Sequence, residues 1–83
     1  MKKIILGIQI TNRLNNVMEV QKLFSQYGCN IKTRLGLHDV NENACSPSGL
    51  VLLEMFGPEE EISRMEHALK GVEGLNVQKM IFE

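Results

Sequence analysis

The amino-acid sequence predicts an α+β fold whose elements follow one another in the order β-α-β-β-α-β. The first observation is a set of four aliphatic segments, in which apolar residues alternate with others or run without a break, as in strands. The second is a pair of segments whose apolar residues recur every three or four positions, as on the buried side of a helix. The third is that glycine, proline and asparagine fall between these segments, where a chain turns.

The first third of the chain predicts a strand and a helix. Residues 3–11 alternate, and one side of this strand carries Ile4, Leu6, Ile8 and Ile10. Residues 12–16 are polar, which predicts a turn in which Asn15 or Asn16 caps the helix. The apolar residues at helical spacing are Val17, Val20, Leu23, Phe24 and Tyr27. Gly28 then marks the end of the helix.

The middle third predicts two strands joined by a loop. Residues 29–39 form the second strand of the chain. Its side toward the helices carries Cys29, Ile31, Thr33, Leu35 and Leu37, and its other side carries Asn30, Lys32, Arg34, Gly36 and His38. Residues 40–48 predict a loop. Residues 50–56 are apolar on both sides, as is typical of a central strand.

The last third predicts a helix and a strand. Pro58 occupies the first helical position, and the glutamates at residues 59–61 suit the positive end of the helix dipole. The predicted buried residues of this helix are Ile62, Met65, Leu69 and Val72. Gly71 and Gly74 end the helix, and residues 75–82 form the last strand. Right-handed crossovers arrange these elements as a ferredoxin-like sandwich, a four-stranded antiparallel sheet with two helices on one face.

The length and the charge limit the classes of function. With 83 residues, of which 43% are hydrophobic and none is Trp, the chain predicts one domain over residues 1–83 with a small core. Such domains often gain stability by oligomerising. Nine Lys and Arg against ten Asp and Glu argue against direct binding of nucleic acid. The sequence shows neither a membrane-spanning stretch nor a signal peptide, which predicts a cytoplasmic protein with reduced cysteines and no membrane partner.

The helices leave one face of the predicted sheet uncovered, and we call it the open face. The residues that alternation places there are Ile5, Gly7, Gln9, Thr11, Lys32, Arg34, Gly36, His38, Leu50, Leu52 and Glu54. This mixture is too apolar for a surface that only meets water, and it indicates contact with a partner. We therefore expect a homo-oligomer, a dimer or a tetramer, that forms through the open face.

The expected strand register places Arg34 opposite Glu54. If residue 39 lies opposite residue 49, Arg34 faces Glu54 on the open face, while Gly36 and His38 face Leu52 and Leu50. One interpretation is a salt bridge that sets the register of the two strands. The other is an arginine that a carboxylate orients to hold an anion. The sequence leaves both interpretations open.

Two short segments resemble ACT-like regulatory domains. They are residues 34–37, with the sequence Arg-Leu-Gly-Leu, and residues 71–77 before the last strand, and the resemblance extends over essentially the whole chain. The chain resembles the stand-alone iron-only hydrogenase system regulators, which in turn resemble the C-terminal domain of the nickel-responsive repressor. The resemblance implies a regulatory domain that binds small effectors, often amino acids, between protomers. The turn at residues 11–16 lacks the glycine that ACT domains typically carry there.

The predicted ligand site lies at the ends of the first two strands and extends onto the open face. Gly36 leaves room there, and Arg34 and His38 supply donors for an anionic or carboxylate-bearing ligand. The full set of candidate ligand-binding residues is Thr11, Asn12, Arg34, Gly36, His38 and Glu54. The competing interpretation is that Gly36 only permits the close approach of a partner strand.

A metal site is the second hypothesis for the same region. His38 and Cys45 have ligand types that suit zinc, nickel or cobalt, and a complete site would need ligands from a second protomer. The resemblance to the nickel-responsive repressor implies that His38 matches the second of two histidines in that domain, and that Gly36 stands in place of the first. The alternative is that both side chains are solvated at a sheet edge.

These features together predict a small regulatory module. It oligomerises through the open face and binds a small effector between protomers; the alternatives are a metal-responsive module and a pure interaction scaffold. We expect no enzymatic activity, because no oxyanion-hole motif accompanies the Cys–His combination. The sequence identifies neither the effector nor a cofactor.

Overall fold

The computed structural model describes residues 2–11, 17–40 and 45–83, with the backbone alone for residues 37–40 and 45–48. Its elements confirm the predicted order. They are β1 (Lys3–Ile10), α1 (Val17–Gln26), β2 (Ile31–Val40), β3 (Cys45–Met55), α2 (Glu59–Lys70) and β4 (Leu75–Phe82). A short 3-10 turn, Gly28–Asn30, separates α1 from β2. Within the described residues, neither helix combines the length and the hydropathy that crossing a membrane requires.

The four strands form one antiparallel sheet in the order β2-β3-β1-β4. Both helices pack on one face of this sheet and enclose the core with it. The fully buried side chains of the core come from β1, β3 and α2, and they are Leu6, Ile8, Leu53, Met65 and Leu69. Helix α1 adds Val20, Leu23 and Phe24 to the core. This is the predicted ferredoxin-like sandwich.

The two central strands have the faces that alternation predicts. On β1 the residues Ile4, Leu6 and Ile8 are buried toward the helices, while Gly7 and Gln9 lie on the open face. In the sheet Gly7 lies between Leu52 of β3 and Gln78 of β4. Residues that pair directly across antiparallel strands share a face, so Gln78 also belongs to the open face.

The predicted register of β2 is wrong by one residue. Arg34 lies opposite Leu53, and it is Thr33 that lies opposite Glu54. The cause is an irregularity of the ladder between Ile31 and Thr33, where a β-bulge adds one residue to β2. Ile31 still packs on the core. Beyond the bulge, each residue of β2 lies on the face opposite to the predicted one, because a slip of one residue inverts the two faces of a strand.

Three further expectations about this region need correction. Cys29 is exposed in the 3-10 turn and is not a core residue of β2. Strand β2 continues to Val40 and β3 begins at Cys45, so much of the predicted loop at residues 40–48 is strand. Val17 is exposed at the start of α1 because the buried side of that helix begins one turn later, at Val20.

Candidate functional site

The open face carries an exposed apolar patch that crosses all four strands. Leu35 is 50% exposed, Met80 48% and Phe82 53%, while Ile5 and Leu52 are half-buried between them. Leu35 lies beside Leu52, and Ile5 lies beside Met80. Leu52 and Ile5 are diagonal neighbours, since Leu52 pairs with Gly7 and Ile5 with Glu54. Apolar side chains therefore extend across the sheet on the side away from the core.

A group of charges stands inside this apolar patch. The Thr33 hydroxyl donates to Glu54 Oε1 at 3.1 Å, and the ammonium groups of Lys3 and Lys32 lie 3.4 Å and 3.9 Å from Glu54 Oε2. The hydrogen bond from Thr33, helped by both lysines, holds the pKa of Glu54 below its usual range although desolvation opposes it. Acidic and basic groups thus lie side by side on this face.

A depression lies over Gly7 in the middle of the open face. Its volume is about 300 Å³, and its walls are formed by Gln9, Leu50, Asn76, Gln78 and Met80. The Asn76 side-chain amide donates to Gln9 Oε1 at 2.9 Å, which ties two of these walls together. The sequence analysis placed Gly7, Gln9 and Leu50 on the open face but missed the contribution of β4. The alternation of Asn76, Gln78 and Met80 along β4 was the signal that could have revealed it.

The structure separates Arg34 from Glu54. The Arg34 guanidinium carbon lies 4.7 Å from the centre of the Phe24 ring, on the side of the sheet that the helices cover. Stacking on the aromatic ring gives this guanidinium a cation–π contact. Gly36 lies opposite Val51 and hence on the same, helix-covered side. The proposed pairing of Arg34 with Glu54 is therefore wrong, and one chain does not bring both into one site on the open face.

Thr11 and the backbone of His38, two further predicted ligand residues, lie at one end of the sheet. The backbone amide and hydroxyl of Thr11 donate to the Gly74 carbonyl at 2.9 Å and 2.8 Å. Ile10 and His38 both pair with Gly49, so the ends of β1 and β2 are two strand spacings apart, about 10 Å. Asn12 lies outside the described residues. The ligand-binding roles of these residues stay predictions.

The metal hypothesis also stays a prediction. The backbone of His38 lies opposite Gly49, and that of Cys45 opposite Val40, near the end of the same hairpin. The positions of the two side chains lie outside what is described. Among the described residues, no three His, Cys, Asp or Glu side chains come together in a group that could hold a metal ion.

An ion-pair cluster around the buried Glu66 joins α2 to β4, and the sequence did not predict it. Glu66 is buried, its Oε1 accepts from Lys79 Nζ at 2.9 Å, and its Oε2 lies 3.1 Å from Lys70 Nζ. Desolvation raises the pKa of Glu66, but the hydrogen bonds from Lys79 and Lys70 outweigh it, and the pKa lies below its usual value. A lysine at an inward position of β4 was the signal, because such a charge needs a partner on the helix.

Glu66 should make the stability of the fold depend on pH. Because its pKa is lower in the folded state, its contribution is fully present above the unfolded pKa and is lost as the pH falls through the folded pKa. We expect Glu66→Gln to lower the free energy of unfolding by about 1 kcal/mol at neutral pH. The difference from the wild type should shrink steadily below about pH 4.

Urea unfolding at several pH values measures this effect. The matched control is Glu73→Gln, which removes an exposed carboxylate from the turn after α2 and should change the stability little at any pH. A difference between wild type and Glu66→Gln that stays constant down to about pH 2 would show that the carboxylate charge is not its source.

The fold places the chain in the class of ferredoxin-like sandwiches that includes ACT domains. Protein TM1266 of Thermotoga maritima has a similar structure, with a TM-score of 0.81 and 20% identity over 100% of both chains. The ACT domain of the GTP pyrophosphokinase of Chlorobium tepidum has a TM-score of 0.63 and 13% identity, over 94% of this chain and 96% of the domain.

A third similar structure is CPII, a nitrogen regulatory PII-like protein of Thiomonas intermedia K12. Its TM-score is 0.52 at 14% identity, over 100% of this chain and 94% of CPII. No protein-family model and no curated protein sequence matches the chain. At such identities the similarities establish the fold, and the function has to be argued from the site.

Proposed function

We propose that the protein is a small regulatory module that associates with a second copy through its open face and binds a small effector where the copies meet. The observation that carries the proposal is the apolar patch of the open face, with Leu35, Met80 and Phe82 each about half exposed. A chain of 83 residues can bury only a small core alone, and covering this patch would add apolar burial to it.

The charges of the open face favour a second copy of the chain as the occupant. Glu54 lies between Lys3 and Lys32, so the face presents both signs of charge over a short distance. Two such faces related by a two-fold axis can place the acidic group of one against the basic groups of the other. A partner of one uniform charge would gain less from this arrangement.

The similar structures support a regulatory role. CPII is described as nitrogen regulatory and was solved with ADP, AMP and bicarbonate bound, and the similar region of the GTP pyrophosphokinase is an ACT domain. We extend the regulatory role to this chain, in line with its resemblance to the iron-only hydrogenase system regulators. Thr11, Asn12, His38 and Glu54 remain candidates for the effector site. Arg34 and Gly36 lie on the helix-covered side of the sheet, so the proposal does not assign them to the place where the copies meet. The proposal assigns no catalytic residue.

Sedimentation velocity of the purified wild type tests the association. We expect a dimer or a larger species from about 1 to about 100 µM, because stable interfaces between copies persist at such concentrations. A monomer across this range would contradict the proposal.

A further inference from the structure

We infer that the depression over Gly7 is a binding site for a small, uncharged, planar molecule that carries both hydrogen-bond donors and acceptors, such as a nucleobase or an aromatic carboxamide. The inference rests on the proposed function in one respect, since the second copy on the open face would close the depression from above. The position of Gly7, the chemistry of the walls and the size of the space support it in turn.

Neither the backbone conformation nor the packing of one chain requires a glycine at position 7. Gly7 is not among the glycines with positive φ, so its backbone conformation is open to other residues. A Cβ at this position would meet Leu52 Cδ2 at 3.7 Å and the Gln78 carbonyl oxygen at 3.9 Å, which are ordinary contacts. Glycine inside a strand costs about 0.5–1 kcal/mol relative to alanine. Such a glycine often marks a place where a ligand or another backbone approaches closely.

The walls determine the chemistry of the ligand. Gln9, Asn76 and Gln78 bring three carboxamides to the depression, and a carboxamide offers both donors and an acceptor. The hydrogen bond from Asn76 to Gln9 holds two of these groups in a fixed orientation. Leu50 and Met80 supply the apolar part of the wall. This combination suits a molecule with polar edges and an apolar face.

The charges indicate that the ligand is neutral. Lys79 is also part of the lining, but its ammonium group is bonded to Glu66 on the helix side of the sheet. The charged group around Glu54 lies opposite Ile5. Ile5 is the next residue after Gly7 on the same face of β1, and two residues of a strand span about 7 Å. A charged ligand over Gly7 would lose water without gaining an ionic partner, which is costly.

The size and shape of the depression suggest a flat molecule. The volume of about 300 Å³ is at the lower end of the range for small-molecule sites. Its floor is the backbone of β1 at Gly7, where no side chain rises toward the ligand. A planar ring can therefore lie against the sheet while its edges meet the amides.

Titration with adenine and with nicotinamide, followed by NMR of the side-chain amide groups, tests the inference. We expect saturable shifts of the amide signals of Gln9, Asn76 and Gln78 with at least one of the two probes. Benzoate, which is planar but anionic, should produce none at equal concentration. Failure of both neutral probes at about millimolar concentration, where ligands of this size are detectable, would overturn the inference, and so would equal binding of benzoate.

Two variants locate the binding site. Gly7→Val fills the depression with a residue that suits strands and should weaken binding at least about tenfold. The matched control is Gly28→Val in the 3-10 turn after α1, where a Cβ meets no described atom within 4 Å, and it should bind as the wild type does. Asn76→Ala removes one amide without filling the space and should weaken binding about tenfold. Wild-type affinity in Gly7→Val would overturn the site.

The outcomes distinguish this inference from the proposed function. An assembled protein that binds neither neutral probe would overturn the site over Gly7 and leave the association standing. A monomer that binds adenine or nicotinamide in a Gly7-dependent manner would contradict the association and support the site. The affinity of Asn76→Ala should fall while its sedimentation stays that of the wild type.

Discussion

Replacing Leu52 with glutamate is expected to convert the assembled protein to monomers without unfolding it. Leu52 lies on the open face between Leu35 and Gly7, and it is half-buried within one chain. In an assembly through this face, the new carboxylate would be buried near Glu54, which has the same sign of charge. We expect the dissociation constant to rise at least about 100-fold, equivalent to about 3 kcal/mol.

Sedimentation velocity of this variant beside a matched control measures the effect. The control is Met18→Glu, which puts the same charge at a methionine that is 77% exposed on α1, on the helix side of the sheet. It should sediment as the wild type does. Circular dichroism should show that Leu52→Glu keeps its secondary structure. Equal assembly of Leu52→Glu and the wild type would exclude the open face as the interface.

Replacing Leu53 with alanine should cost far more folding stability than the same change at its neighbour Leu52. Leu53 is fully buried in the core, and the cavity left by a Leu→Ala change there costs about 2–5 kcal/mol. Leu52 lies on the opposite face of the same strand and is half-buried. Its replacement by alanine should cost about 1 kcal/mol or less in the single chain.

Urea unfolding at one low protein concentration separates the two variants, because the stability of an assembled protein depends on concentration. Both positions carry leucine on the same strand, so the difference between the two losses of stability depends only on which face of the sheet each leucine occupies. Similar losses at Leu52 and Leu53 would contradict the assignment of the two sheet faces.

The sequence predicted the parts of the fold in which one face is unambiguous. The last strand has the predicted bounds, and β1 has the predicted faces, because Ile4, Leu6 and Ile8 recur at every second position while Gly7 and Gln9 fall on the other side. Helix α2 ends before Gly71 as predicted, but it begins at Glu59, and Pro58 is its extended N-cap residue and not its first helical residue. These signals are local, and they agree with the packing of the core.

Strand β2 was assigned wrongly because its apolar residues beyond the bulge lie on the open face and not toward the core. Leu35 resembles a core residue in the sequence, yet it lies half exposed on the open face. The bulge that follows Ile31 leaves no mark in the sequence, and it exchanges the faces of all later residues. The apolar patch that supports self-association is thus the same feature that made the register ambiguous.

The depression over Gly7 was not predicted as a site, because its residues come together only through the pairing of the strands. Gly7, Gln9 and Leu50 follow from the alternation of β1 and β3, but Asn76, Gln78 and Met80 join them only because β4 pairs with β1. That pairing is a property of the topology. The ion pair between Glu66 and Lys79 likewise depends on how α2 lies over β4.

The most direct test of the account is to detect contacts between two copies. In a sample that mixes methyl-labelled and unlabelled protein, isotope-filtered NMR reports only contacts that cross between chains. We expect such contacts for the methyl groups of Ile5, Leu35, Leu52 and Met80 on the open face. Inter-chain contacts confined to the helix side, for example at Met18, would contradict the central claim that a second copy covers the open face.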